Sequence, residues 1–350
     1  MSKLTLGIIS YNRPSELKRC LESILPVPYN VDVLVCDDNS PRSLEICDVV
    51  NAFQVSNKNI KVVLKVNEIN YGYDKNLFNI LELADSEYVL LLGDDDMLEP
   101  NALFSIMETI NRNNFSVGFL RVRFSDNLLA NLGIKEISYD RNYFKLKYFP
   151  PAELRNNGFH LYNSILFSGL IFKKESVLEF KNIIVEYYNS IYIQVAIFCF
   201  LSNKYGSYFI PGPGIMIGSD GENGFGLNES ASDRDKNLID RSHFLSNLNY
   251  QVRLKEIIER IAKETSSEIL KSFLKEYKIR YIKFAWTARK KGRKGLLEFL
   301  KYSKKLGLIN VSYVNYLLLI FYIIPIDLLN IILSTTEKAI HKFRKNKNIK

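Results

Sequence analysis

Cysteine and histidine are scarce in this sequence, with 4 Cys and 3 His in 350 residues. Cys20, Cys36, Cys47 and Cys199 show no C-x-x-C spacing, which argues against a disulfide framework and against a thiolate zinc site. They read as free thiols of a reducing compartment. His160, His243 and His341 are too scattered to make a zinc motif. The opening Met1–Ile9 has too short an apolar part for a signal peptide and enters directly into a strand, so a cytoplasmic location is expected. No internal repeat is present, and no RNA- or DNA-binding motif accompanies the basic residues, so no nucleic-acid partner is expected.

What is there is a globular composition, 47% hydrophobic and 24% charged, with a formal net charge of +9. That charge points to an anionic partner, either a nucleotide or an anionic membrane surface. The first hundred residues alternate short apolar runs with helical periodicity. Leu4–Ser10, Val31–Cys36, Ile60–Val66 and Tyr88–Leu92 read as strands. Between them, Leu17, Cys20, Leu21 and Ile24 repeat at helical spacing, as do Leu77, Ile80, Leu81 and Ala84. A helix over Ser43–Phe53 is expected to turn Leu44, Val49, Val50 and Phe53 inward. This β-α-β-α-β-α-β order predicts a Rossmann-like, doubly wound α/β sheet with right-handed crossovers.

The polar residues at the ends of those strands carry the chemistry. The fourth strand has no polar break and ends on Gly93, Asp94, Asp95 and Asp96; the second ends on Asp37 and Asp38. An open α/β sheet binds ligands at the C-terminal edge of its strands, and adjacent carboxylates there repel one another unless a cation or hydrogen-bond donors compensate. A divalent metal holding a diphosphate is the sharp reading, and a solvated acidic turn is the plain one.

Beyond Pro100 a helix with Leu103, Ile106, Met107 and Ile110 inward precedes a strand over Ser116–Phe124. Residues Ser125–Tyr162 read as loops and short strands, Ile165–Phe172 as a strand, Glu175–Asn203 as mostly helical, and Pro211–Gly226 as a glycine-rich loop. From about Ser230 the pattern is helical, with segments at Ser242–Thr265 and Ser267–Arg289, a basic break at Lys290–Gly295 and a further helix to Leu306. Tyr313–Leu333 is nearly all apolar and reaches the ~20 residues of a membrane span, but Pro325, Asp327 and Asn330 interrupt it. With the basic tail after Lys338 it reads as a shallow, peripheral seat on an anionic membrane. A dimer interface with a solvated tail is the alternative.

Four groups fall along one sheet edge in order: Ser10, Tyr11, Asn12 and Arg13; Asp37 and Asp38 with Asn39 and Ser40; Asn70, Tyr71 and Gly72 with Lys75 and Asn76; and Gly93–Asp96. Together they resemble family 2 glycosyltransferases of the GT-A fold, strongly over Leu4–Pro100 and fading to about Leu201. The resemblance implies that Tyr11 and the backbone near Ser10 border the nucleotide base, that Asp38 accepts from base or ribose, and that Lys75 faces the nucleotide. It also implies that Asp94, Asp95 and Asp96 hold Mg²⁺ or Mn²⁺ against the diphosphate of a sugar nucleotide, with a UDP-sugar as the expected donor. Gly93 stands where common members carry the first aspartate of the motif. The general base is open among Glu186, Asp220 and Glu222.

The expected organisation is a GT-A domain over 1–229, with a nucleotide-binding half over 1–100 and an acceptor half over 101–229, a helical extension over 230–312, and a membrane-associating tail over 313–350. The expected reaction is metal-dependent transfer to a saccharide or lipid-linked acceptor, with inversion, at the inner face of the cell membrane in surface-polysaccharide assembly. The rival readings are a sugar nucleotidyltransferase, disfavoured because the Ser10–Arg13 turn contains no glycine, and a catalytically degenerate scaffold of the same fold.

Overall fold

A computed structural model describes residues 3–124, 145–218, 246–307 and 320–325. At its centre β1 (Leu4–Ser10) lies between β2 (Val31–Asp37) and β4 (Tyr88–Gly93), parallel to both, and β3 (Lys61–Val66) extends the sheet beyond β2. The crossovers are α1 (Pro14–Glu22), α2 (Ser43–Ser56) and α3 (Tyr73–Leu83). Every residue of β4 is buried, as an unbroken apolar run requires of a strand covered on both faces. Gly7 lets α3 approach the middle of β1, because a Cβ there would stand 2.2 Å from the Ile80 side chain. The inward face of α2 is Ile46, Val50 and Phe53, whereas Leu44 is 84% exposed. The expected phase was therefore wrong at the first turn, where the i, i+4, i+7 series starts from Ile46.

The second half completes a mixed nine-stranded sheet among the described residues, ordered β3-β2-β1-β4-β8-β6-β9-β5 with β7 on β9. It consists of β5 (Met97–Leu98), α4 (Ala102–Arg112), β6 (Val117–Phe124), β7 (Lys147–Phe149), α5 (Pro151–Asn156), α6 (Gly158–Leu161), β8 (Leu170–Lys173), α7 (Lys174–Glu179), α8 (Lys181–Ile184), α9 (Ile193–Tyr205) and β9 (Ser207–Ile217). Strand β8 runs antiparallel to β4 and β6, and β6 runs parallel to β9. Phe119 anchors the layer beneath, its ring within 6.1 Å of those of Phe149, His160, Phe198 and Phe209.

Three expectations change here. The stretch after Pro150 is short helices rather than loops and strands. The strand expected from Ile165 begins only at Leu170, because the chain turns at Gly169, whose φ is +89°. Pro211–Gly214 lies within β9 rather than in a loop. There the register jumps from Leu120 opposite Ile210 to Val122 opposite Ile215, a bulge that takes both prolines out of the ladder they cannot donate to. Gly214 is required in it, since a Cβ would meet the Arg121 carbonyl oxygen at 1.9 Å.

The chain divides into two compact units, Met1–Ser230 with Lys255–Phe273, and Ala231–Leu254 with Leu274–Lys350. The helices beyond the sheet are α10 (Ser246–Glu264), α11 (Ser267–Lys290) and α12 (Gly292–Lys305), so the basic break expected at Lys290–Gly295 shrinks to Lys291 alone. Within the first unit Arg260 stacks 4.5 Å from the Tyr187 ring centroid. Within the second, Tyr281 packs between Tyr277 and Phe299, and Trp286 packs on Phe321. Arg289 donates to the carbonyls of Phe321 and Ile324, satisfying the end of the helical turn over 320–323. Ile320 and Ile323 of that turn are 43% and 60% exposed. The rest of the apolar stretch and the basic tail lie outside the described residues, and among the described residues no helix is long and apolar enough to cross a membrane.

Candidate active site

Register brings the strand-end residues to one level: Ser10 stands opposite Asp37 and Ile9 opposite Gly93. The chain leaves β1 toward β2 and β3 on one side and returns as β4 on the other, so the gap between β1 and β4 is the topological switch point where such sheets bind ligands.

At that gap the first turn and the aspartates form one assembly. Asn12 takes a left-handed φ of 59° and Pro14 opens α1, which folds residues 11–13 back over β4. The Tyr11 N–H donates to Asp94 Oδ2 at 3.2 Å, and Arg13 Nη1 lies 3.1 Å from both Asp94 Oδ1 and Asp95 Oδ2. Asp96 turns the other way and accepts from the Ser168 hydroxyl and, at 3.0 Å, from the Gly218 N–H. Burial pushes the Asp94 carboxyl up to about 7 against the pull of Arg13. Burial, with repulsion from Asp95, raises Asp96 to about 7 as well.

Among the described residues no three acidic, histidine or cysteine side chains converge on a preformed metal centre. The three carboxylates point apart, Asp94 to the first turn and Asp96 to Ser168. Even so, Asp95 Oδ1 and Asp96 Oδ2 both lie within 3.0 Å of the point where a Cβ on residue 93 would stand. Gly93, having no side chain, thus leaves room for two oxygens to face one spot. Hard oxygen donors fit a divalent cation, which discharges their repulsion.

Asp37 and Asp38 are spoken for by the protein. Asp37 accepts from Ser40 N–H at 3.3 Å, Ser40 Oγ at 2.5 Å and the Ser43 hydroxyl, bracing the entry to α2. Asp38 accepts from Asn67 Nδ2, Tyr71 N–H and Gly72 N–H, each at 2.8 Å, so it shapes the loop that caps α3. Gly72 is the cap residue itself, with φ of 80°. Asn76 closes the network, accepting from Asn67 at 3.0 Å and donating to the Cys36 carbonyl at 3.1 Å. Lys75 Nζ sits 3.6 Å from the Tyr71 ring centroid beside this loop.

Of the three base candidates, Glu186 falls among the described residues. Glu186 lies on a one-turn 3-10 helix, Val185–Tyr187, with its carboxylate two-thirds exposed and 3.8 Å from Arg260. Asp220 and Glu222 lie outside the described residues. Sequence reasoning missed Asp74, which is buried and accepts from the N–H groups of Ser190, Ile191 and Ile193 at 2.5, 2.8 and 3.2 Å. Burial lifts its pKa to about 6 against those three donors. Asp74 thereby fixes the turn before α9, where Ile191 is held at φ of 63°, costly for a β-branched residue. Its place one residue before Lys75 was the available signal; Ser168 and Gly218, which hold Asp96, gave none.

Residues 5–170 match glycosyl transferase family 2. This segment belongs to that family. The chain is 29% identical over 177 residues to the GalNAc(5)-diNAcBac-PP-undecaprenol beta-1,3-glucosyltransferase of Campylobacter jejuni, covering 50% of this chain and 56% of that one. It is 27% identical to the abequosyltransferase RfbV of Salmonella typhimurium over 30% of this chain and 32% of that one. The chain thus spans little more than half the length, or less, of the curated relatives it matches. Among solved structures, the mannosyltransferase PcManGT of Pyrobaculum calidifontis, in complex with GDP-Man and Mn²⁺, is similar at a TM-score of 0.50 and 12% identity, over 91% of this chain and 78% of that one. The family 2 segment has the GT-A fold.

Proposed function

We propose that this protein transfers a sugar from a nucleoside-diphosphate donor to a saccharide or lipid-linked acceptor, with inversion, in surface-polysaccharide assembly. The observation that carries the reading is the joining of Tyr11 and Arg13 to Asp94 and Asp95 at the β1–β4 switch point. A diphosphate seated there meets a guanidinium and the N-terminal turn of α1 on one side and the carboxylate pair on the other. The lipid-linked acceptor is supported by the C. jejuni relative, whose name carries a PP-undecaprenol substrate.

Asp95 and Asp96 would hold a divalent cation, Mg²⁺ or Mn²⁺, with Asp94 positioning Arg13. Bound there, such a cation supplies charge stabilisation to a departing diphosphate. The chain's own groups do the rest. Arg13 stabilises phosphate charge, the Asp38-braced loop with Tyr71 and Lys75 flanks the nucleotide, and one of Glu186, Asp220 or Glu222 takes the proton of the acceptor hydroxyl as it attacks opposite the leaving group. Loss of the base lowers kcat by about two to four powers of ten with donor still bound, so Glu186→Gln, Asp220→Asn and Glu222→Gln assign it.

Attachment to an anionic membrane surface rests on the exposed Ile320 and Ile323 beside Arg293, which donates to the Ile323 carbonyl and lies over the Tyr322 ring. Flotation with anionic vesicles at low and high salt tests it, and protein that stays unbound at low salt contradicts it. The reaction itself is tested by incubating the protein with labelled UDP- and GDP-sugars, with Mn²⁺ or chelator. Turnover of one donor with Mn²⁺ is expected. No turnover of any donor, with nucleotide binding intact, would favour the scaffold reading.

A further inference from the structure

Glu99, Arg121 and Arg123 form a charged cluster that the reaction so far leaves unused. Glu99 is buried, and it accepts from Arg121 Nη2 at 2.6 Å, Arg123 Nη1 at 3.2 Å and the Gly214 N–H at 2.7 Å. One carboxylate serves two guanidiniums, so the cluster carries a net positive charge. Arg121 and Arg123 are two apart on β6 and so share a face. Their side chains are 40% and 56% exposed, each spending one nitrogen on Glu99 and leaving other donors outward. Arg121 Nε itself is buried and, among the described residues, has no hydrogen-bond partner.

The strand register places this cluster relative to the aspartates. Arg123 pairs with Met216 on β9, and Met216 with Met97 on β5, so the three form one cross-strand row. Met97 directly follows Asp96, which puts the Arg123 backbone two strand spacings away, about 10 Å. The row beside it, Leu98, Ile215 and Val122, packs into the core, so the methionine row and the arginines belong to the opposite face.

We infer that Arg121 and Arg123 are an anion subsite that takes the phosphate of the acceptor, a sugar-bearing lipid diphosphate lying across Met97 and Met216. The inference rests on the glycosyltransferase reading for the identity of its ligand. The cluster's charge and geometry stand apart from that reading. Paired guanidiniums on a fixed strand match diphosphate oxygens bidentately.

The test is calorimetric titration of the full chain with inorganic pyrophosphate and with decyl diphosphate, in chelator and at low salt, so that neither donor nor metal takes part. Arg121→Gln/Arg123→Gln should weaken decyl diphosphate binding by about tenfold or more, the scale of lost charge-assisted hydrogen bonds. Glu99→Gln, which releases both guanidiniums, should tighten it. Should the double variant fail to melt cooperatively, Arg123→Gln alone carries the test, since Arg123 is the more exposed partner. Binding unchanged in these variants overturns the subsite. Equal affinity for pyrophosphate and decyl diphosphate overturns the lipid-linked acceptor. Labelled sugar-nucleotide turnover, measured separately, shows whether the glycosyltransferase reading has failed instead.

Discussion

The two halves of the sheet are built by different rules. In the first half, four parallel strands follow one another with a helix between each pair, and the chemical groups gather at strand ends and in the turns that open the next helix. In the second, β8 inserts antiparallel between β4 and β6, and β9 threads between β6 and β5. The first half therefore presents a ready ligand edge by topology alone. The second works by holding pieces of the first in place: Ser168 and Gly218 on Asp96, the turn before α9 on Asp74, and Gly214 on Glu99. Asp96, Asp74 and Glu99 and the groups that hold them thus come from opposite halves, so edge and support can be broken separately.

The largest effect is expected at the edge itself. Asp96→Asn should lower transfer by about 10²- to 10³-fold, the range for loss of one preorganised electrostatic group, while the Tm stays near or above wild type because a repelled, buried charge is removed. Initial rates and melting curves check both parts, and a variant that keeps its rate contradicts the assignment. Asp38→Ala comes next. It leaves two backbone N–H groups and Asn67 without their acceptor, at about 1–3 kcal/mol for a buried polar group left unsatisfied. Donor KM should rise more than kcat falls; a lower Tm with donor KM unchanged would make Asp38 a structural residue only.

Support from the second half should appear as a pH effect. Asp74, Asp94 and Asp96 are raised to about 6, 7 and 7 in the folded chain from an ordinary value of 3.8. The folded state then holds more protons than the unfolded chain between those values, so stability without metal should fall as pH rises from about 4 to about 7. Cation affinity should rise over the upper part of the same window, because the carboxylates must lose protons to bind. Melting curves against pH, with chelator and with Mn²⁺, should diverge above pH 6, and Asp96→Asn should bring them together. The smallest effect is expected from Lys75→Ala, which removes a cation over Tyr71 worth about 0.5–1 kcal/mol and should raise donor KM by a small factor.

This contrast also explains what the sequence made legible. Parallel strands buried on both faces write themselves as unbroken apolar runs, and their C-terminal residues must then share an edge, so Ser10–Arg13, Asp37, Asp38 and Asp94–Asp96 were readable together. Their partners were not, because partnership is long-range: Ser168 is 72 residues from Asp96 and Ile191 is 117 from Asp74. Pro211–Gly214 read as a loop because a four-residue bulge inside a strand has the composition of one. Asp38 read as a group that accepts from base or ribose, and nothing local showed that the 67–72 loop would also donate to it.

The central claim is that the β1–β4 edge binds a nucleoside diphosphate through Arg13 and a cation on Asp95 and Asp96. Calorimetric titration of UDP and GDP into wild-type protein and Asp95→Asn/Asp96→Asn, each with Mn²⁺ and with chelator, tests it most directly. Wild type should bind one of the two nucleotides tightly only with Mn²⁺, and the double variant should bind it weakly and equally in both conditions. Equal binding by wild type with and without Mn²⁺, undiminished in the variant, would contradict the account.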